Sequence, residues 1–340
     1  MQIEKVLAAT LFLFVSTFLA CGTVIAKDSK FWRAVHLLDY NTDADLDLLG
    51  KNLETLAKQG INVIILEVDY NFAFRSHSEL RRGTSPITRE GARRFAALCK
   101  KNQIRLIPEF QSLGHQSWKG ETFPLLTVYP KFDLTPGAFP NNEGIYCREW
   151  DLLNPDVWAT VFQLMDEIID AFHADALHVG MDEVFLLGSD QSPSTKGKDP
   201  GVLFANAVKQ IHEHLGKHHV EMMMWGDRLI DGTKDGLGEW EASTNGTASA
   251  IDLIPKDIII CPWHYEVRDS YPSIPMFVEK GFRVLPATWK NVDAAKALID
   301  FGRLHASPKL LGFMFTTWGV RKDVLLDFPP LVEGLKSLQN

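Results

Sequence analysis

Short, nearly continuous apolar runs recur along this chain, separated by segments whose apolar positions return every third or fourth residue. The first pattern is that of strands buried on both faces, as in a parallel sheet, and the second is that of amphipathic helices. Strands are predicted at Ala34 to Asp39, Ile61 to Asp69, Ile104 to Glu109, Ala176 to Asp182, Val220 to Trp225, Ile258 to Trp263, Phe282 to Thr288 and Leu311 to Trp318. Helical periodicity covers Thr88 to Asn102, Pro155 to His173, Val202 to His219, Val292 to His305 and Val324 to Leu338. Eight strand positions alternating with helical segments predict an α/β fold, a (β/α)8 TIM barrel, in a single domain.

Two stretches are too long to be simple connections. Phe110 to Asn154 follows the third strand and Asp227 to Asp257 the fifth, so both are βα loops on the face where barrels carry their chemistry. Ser189 to Gly201, rich in Ser, Pro, Lys and Gly, reads as a mobile loop. At the amino end, Leu7 to Ala20 is an apolar run of signal-peptide length, too short for a membrane span, with small residues at Val24-Ile25-Ala26. Residues 1–26 are therefore expected to be a signal peptide, and 27–340 an exported barrel, periplasmic or extracellular. Leu19-Ala20-Cys21 loosely matches a lipoprotein cleavage box, which leaves a lipid anchor at Cys21 as the second reading.

The composition narrows the classes. A chain of 340 residues, 46% hydrophobic and 23% charged, has the make-up of a large globular domain. A formal charge of −8 without a basic run excludes a nucleic-acid partner, whose phosphates demand cationic surface. Beyond Cys21, the cysteines are Cys99, Cys147 and Cys261, without metal-type spacing, and free buried thiols are expected.

The chemistry centres on Ala176-Leu177-His178-Val179-Gly180-Met181-Asp182-Glu183-Val184, where two adjacent acids end an apolar strand. Neighbouring residues of a strand face opposite ways, so Asp182 and Glu183 serve one pocket only if the strand ends there. Gly180 then leaves room beside them for a ligand. A plain Asp-Glu opening a surface loop is the competing reading. Other polar and aromatic residues also mark strand ends: Arg33 and Asp39, Glu67 and Asp69, Glu109 with His115, Trp225 with Asp227, Trp263 with Tyr265, Trp289, and Trp318. Aromatic faces suit pyranose rings, and four tryptophans converging on one rim look like a carbohydrate pocket.

These residues resemble the glycoside hydrolase family 20 β-N-acetylhexosaminidases. His178-Val179-Gly180-Met181-Asp182-Glu183 matches that family's His-x-Gly-x-Asp-Glu signature, and Ile107-Pro108-Glu109 with Gly114-His115 matches its third-strand elements. Gln111, the run Asp182 to Gly188, and Trp263 with Tyr265 are closest to the branch containing hexosaminidase D. The resemblance implies an exo-acting, retaining hydrolase that removes terminal β-linked GlcNAc or GalNAc from a glycan and needs no cofactor or metal. It implies Glu183 as the acid and base, and Asp182 as the group that orients the substrate's acetamido. Trp225, Trp263, Trp289 and Trp318 would enclose the sugar, Tyr265 would donate to the acetamido oxygen, and Arg33 and His115 would hold the substrate. Asp69, Glu109, His178 and Asp227 would support them, with the plainer alternative that Glu109 does no more than orient His115. Better-known members carry a Glu after the last-strand Trp, whereas Gly319-Val320-Arg321 stands here, which puts epimer preference in doubt. Asn291, Glu67 or a residue of 227–257 are the candidates to replace it. Two other readings stand beside this one: a sugar-binding barrel without turnover, and a metal-dependent hydrolase built on His36, His115, His178 and Asp182.

Overall fold

The computed structural model describes residues 31–339, so the expected signal peptide and Cys21 lie outside the described residues. Parallel strands form at β1 (Trp32–Leu37), β2 (Val63–Glu67), β3 (Arg105–Ser112), β4 (Ala176–Gly180), β5 (Glu221–Trp225) and β6 (Ile259–Cys261). The strand β7 is split into Arg283–Val284 and Ala287–Thr288, and β8 is Gly312–Thr316. Pro286 lies in the split, where a residue without an N–H cannot continue the ladder. The first piece of β7 pairs with β6 and the second with β8, so the sheet returns on itself as a barrel.

Strand alternation sets up two apolar layers. Ala34, Val63, Ile65, Ile107, Met223, Ile259 and Met314 fill the barrel interior, while Val35, Leu37, Ile64 and Leu66 pack outward against helices. At the amino ends of the strands, Arg105 reaches Glu221 at 2.7 Å and Asp175 at 2.9 Å, and Arg283 joins Glu221 at 2.6 Å. Those ion pairs close the bottom and leave the carboxyl ends as the open face.

The enclosing helices are α1 (Asp43–Gln59), α2 (Arg89–Lys101), α3 (Pro155–Phe172), α4 (Pro200–Lys217), α5 (Ser273–Glu279), α6 (Val292–Leu304) and α7 (Pro329–Gln339). Five of their starts carry side-chain caps: Thr42 and Asp45 form a capping box on α1, Thr88 caps α2, Asn154 and Asp199 cap α3 and α4 ahead of a proline at the first helical position, and Asn291 caps α6. One helix of the ideal pattern is replaced. Between β5 and β6 the chain makes the short helix Gly232–Asp235 and the 3-10 segments Asp227–Leu229 and Thr247–Asp252.

The long segment after β3 is ordered by Arg148, which donates to Asn142 Oδ1 at 2.5 Å and also bonds the Asp133 carboxylate and Phe139 carbonyl. The segment 189–201, expected to be mobile, is irregular but tied down. Ser192 Oγ donates to Leu186 O at 2.7 Å, Thr195 Oγ1 accepts from Gly188 N at 3.1 Å, and Ser194 bonds Asp151 at 2.9 Å. Cys99, Cys147 and Cys261 are free and buried. Among the described residues no helix is long and apolar enough to cross a membrane.

Candidate active site

The adjacency of the two acids is resolved by the backbone. Strand β4 stops at Gly180, two residues before the predicted end, and Gly180, Met181 and Glu183 take φ of 63°, 70° and 50°. Left-handed conformations at two residues with side chains are costly and persist only where the surroundings enforce them, as they do at functional sites. The turn breaks strand alternation, so both carboxylates reach the same imidazole: His115 Nε2 lies 3.0 Å from Glu183 Oε2 and 3.2 Å from Asp182 Oδ2.

Three neighbours hold this turn. Gln111 Nε2 donates to Asp182 Oδ1 at 2.7 Å, and the Glu183 amide donates to Asp227 Oδ2 at 2.9 Å. Across from them Gly114 packs so tightly that a Cβ there would stand 3.0 Å from the Asp182 carbonyl oxygen. Burial works against the Asp182 carboxylate, but the charge of His115, with hydrogen bonds from His115 and Gln111, outweighs it and holds the group below the usual carboxylate range. Burial likewise opposes the His115 cation, and the Asp182 charge overrides it, raising His115 well above its ordinary value.

The supporting residues fall into two networks. Glu109 is fully buried between His36 at 2.7 Å and His178 at 3.2 Å, and His36 also bonds Thr316 Oγ1 at 2.8 Å. Burial alone would raise Glu109, yet the charges of His178 and His36 pull it far below the ordinary value. The expectation that Glu109 orients His115 is thereby corrected: its partners are the two inward histidines of β1 and β4. Asp227, pushed up to about 6 by burial despite Arg228, accepts from Arg228 Nε at 2.7 Å, and Arg228 in turn donates to the carbonyls of Glu239, Trp240 and Ala242. Asp69 accepts from the Gln111 amide at 2.6 Å, which places it behind Gln111.

The aromatic rim also assembles as one unit. Trp225 stands edge-on to His178 with centroids 4.7 Å apart, and Trp263 stacks on Tyr265 at 4.9 Å. Trp318 Nε1 donates to the Tyr265 hydroxyl at 3.0 Å, and Trp289 Nε1 donates to Trp318 O at 2.9 Å. Burial pushes the Tyr265 phenol well up, so its hydroxyl keeps a proton to donate. Trp225 Nε1 and His178 Nε2 are buried without a hydrogen-bond partner among the described residues, which leaves polar capacity at the inner wall of the pocket.

Three further expectations are corrected. Arg33 is the second residue of β1, at the closed end, and its Nε donates to Gly60 O at 2.7 Å, so it is remote from the acids. The space beside Gly180 is not left for a ligand, because a Cβ there would stand 1.8 Å from Gln111 Oε1. The histidines of the proposed metal set do not converge: His36 and His178 face Glu109, while His115 alone joins the acids.

Sequence reasoning missed residues of the long loops. Tyr146 sits 5.7 Å from His115 and 4.9 Å from Trp240, and Trp118 and Phe185 complete an aromatic mouth. Burial and the Glu183 charge push the Tyr146 phenol up. Glu149 accepts from the amides of Phe185 at 2.6 Å and Leu186 at 2.8 Å, fixing the chain just past Glu183. No periodicity marks such positions.

Residues 52–292 match the model of "Glycosyl hydrolase family 20, catalytic domain". The chain belongs to glycosyl hydrolase family 20. A lacto-N-biosidase of Bifidobacterium bifidum is 22% identical over 282 residues, covering 79% of this chain and 22% of that protein. A beta-hexosaminidase of Porphyromonas gingivalis is 23% identical over 184 residues, covering 52% of this chain and 23% of that protein. The chain thus spans less than a quarter of the length of these curated relatives. Among solved structures, the chitobiase of Flavobacterium johnsoniae superposes with a TM-score of 0.65 at 20% identity, over 89% of this chain and 48% of that one. That likeness shows the family 20 barrel fold.

Proposed function

We propose that this family 20 chain removes terminal β-linked N-acetylhexosamine, GlcNAc or GalNAc, from glycans with retention of configuration. The observation that carries the reading is the convergence of Asp182 and Glu183 on one side of the pocket, both against His115. A retaining enzyme with its own nucleophile places its two carboxyl groups about 5 Å apart, flanking the scissile bond from two sides. Adjacent acids sharing one imidazole leave the nucleophile's place to the substrate's 2-acetamido group.

In this mechanism the acetamido oxygen bonds to the anomeric carbon as the glycosidic bond breaks, and the departing oxygen takes a proton from Glu183. Ionised Asp182 accepts from the acetamido N–H and balances the cationic oxazolinium. The Tyr265 hydroxyl donates to the acetamido oxygen, with Trp225, Trp263 and Trp318 around the methyl and the ring. Water then gives its proton to the Glu183 carboxylate and attacks the anomeric carbon, reopening the ring with the original configuration. Trp289 braces Trp318, Asp227 and Gln111 fix the acid turn, and the Glu109 network with His178 sets the inner wall. Tyr146, Phe185 and Trp240 face the leaving group. Residues 1–26 serve as the export signal in this account, which the apolar run Leu7 to Ala20 supports, and Cys21 is the alternative attachment point for lipid.

Proton NMR of a β-linked GlcNAc disaccharide during hydrolysis tests the proposal. The β-anomer of GlcNAc should appear first. Initial release of the α-anomer contradicts the mechanism, and absence of turnover on any β-N-acetylhexosaminide contradicts the activity.

A further inference from the structure

A second cluster of ligand-type side chains lies outside the barrel mouth, where the outer faces of α3 and α4 meet. Asp166 of α3 faces His214 in the last turn of α4 and His218 at its carboxyl cap, one helical turn further. His214 Nε2 is 2.8 Å and His218 Nε2 3.6 Å from the same Asp166 oxygen, and the three atoms lie within 4.8 Å of one another.

These spacings bracket those of a coordination sphere. Zinc holds imidazole nitrogen and carboxylate oxygen at about 2.0–2.1 Å in a tetrahedron, whose edge is then about 3.4 Å. With His214 held in place, rotation of the Asp166 and His218 side chains brings the three separations, none above 4.8 Å, toward that value. The His214 ring is already fixed, stacked on Phe162 with centroids 4.0 Å apart and planes within 1°. Such preorganisation reduces the ordering cost of binding. His218 is about half exposed, which gives an ion an entry path and leaves the fourth position to water.

We propose that Asp166, His214 and His218 form a binding site for a zinc-class divalent transition metal ion, which clips α3 to α4. Two imidazoles with one carboxylate suit zinc, nickel or copper and disfavour magnesium and calcium, which take oxygen ligands. The two helices precede and follow β4 in the chain, so the clip braces the strand that ends in the acid turn. Its expected effect is on stability, because an ion that binds only the folded state stabilises it by mass action.

The full chain, stripped with chelator, is titrated with zinc chloride by calorimetry and melted with and without zinc. Zinc at saturation should raise Tm by several degrees, whereas magnesium should not. His218→Ala and Asp166→Asn should lose that rise and weaken binding at least tenfold. Because His115, Asp182 and Glu183 also bring ligand atoms together, Glu183→Gln serves as the control and should keep the rise. A rise of equal size in His218→Ala and Asp166→Asn, or no zinc-dependent rise in the unaltered chain, overturns the proposal.

Discussion

Gln111 Nε2 donates to Asp182 Oδ1 at 2.7 Å through space that exists only because residue 180 has no side chain. A Cβ at that position would stand 1.8 Å from Gln111 Oε1, and its backbone would have to keep φ near 63°. Gly180→Ala should therefore displace Gln111, release Asp182, and add backbone strain of about 1–3 kcal/mol. Kinetics and thermal melting check this: kcat should fall at least tenfold with a lower Tm, while near-normal values of both contradict the packing.

The division of labour between the acids is read from leaving groups. Glu183→Gln should cost about 10²–10⁴-fold on a disaccharide, whose leaving oxygen needs a proton, and much less on an aryl glycoside with an acidic phenol. Asp182→Asn should slow both substrates by about 10²–10³-fold, because it removes the charge opposite the developing cation. Equal losses for both substrates in Glu183→Gln contradict its role as acid.

Asp69 carries a pH signature. Burial pushes its carboxyl up to about 7, offset only in part by the hydrogen bond from the Gln111 amide. With the folded value above the unfolded one, its contribution to stability is full below about pH 4 and lost as pH rises through about 7. Relative to Asp69→Asn, the unaltered chain should lose stability between those limits and level off above about pH 8. Denaturant titrations across that range check it, and a constant difference between the proteins contradicts it.

How far the chain could be read differs from element to element. The strands were legible because burial on both faces writes continuous apolar runs, and the acid pair was legible because it ends one of them. Where β4 stops was not, since the left-handed turn at Gly180 and Met181 depends on Gln111, Gly114 and Asp227 packing around it. Arg33 is assigned to the substrate by the family resemblance, but the strand starts at Trp32, which puts Arg33 at the end away from the active face. Tyr146 and Glu149 sit in loops whose shape is fixed by contacts such as those of Arg148, which leave no local pattern.

Weak epimer selectivity is expected, because the residues around the missing Glu are already engaged and Glu67, at the end of β2, stands near Asp69 and Glu109. After Trp318 come Gly319, Val320 and Arg321, and Arg321 pairs with Asp323. Asn291, a candidate to grip the outer hydroxyls, spends its side chain accepting from the Asp293 and Ala294 amides at the start of α6. Without a hydroxyl-specific partner a site discriminates weakly. The specificity constants for GlcNAc and GalNAc glycosides should lie within about tenfold, a difference under about 1.4 kcal/mol. Measuring both substrates side by side checks this, and a hundredfold preference for either means another polar group holds the 4-position.

If the substrate supplies the nucleophile, an aryl N-acetyl-β-glucosaminide and the aryl β-glucoside of the same leaving group, assayed side by side, must differ. The first should be turned over and the second should show a specificity constant at least a thousandfold lower, because it has no acetamido group to attack the anomeric carbon. Comparable rates on the two would contradict a nucleophile supplied by the substrate.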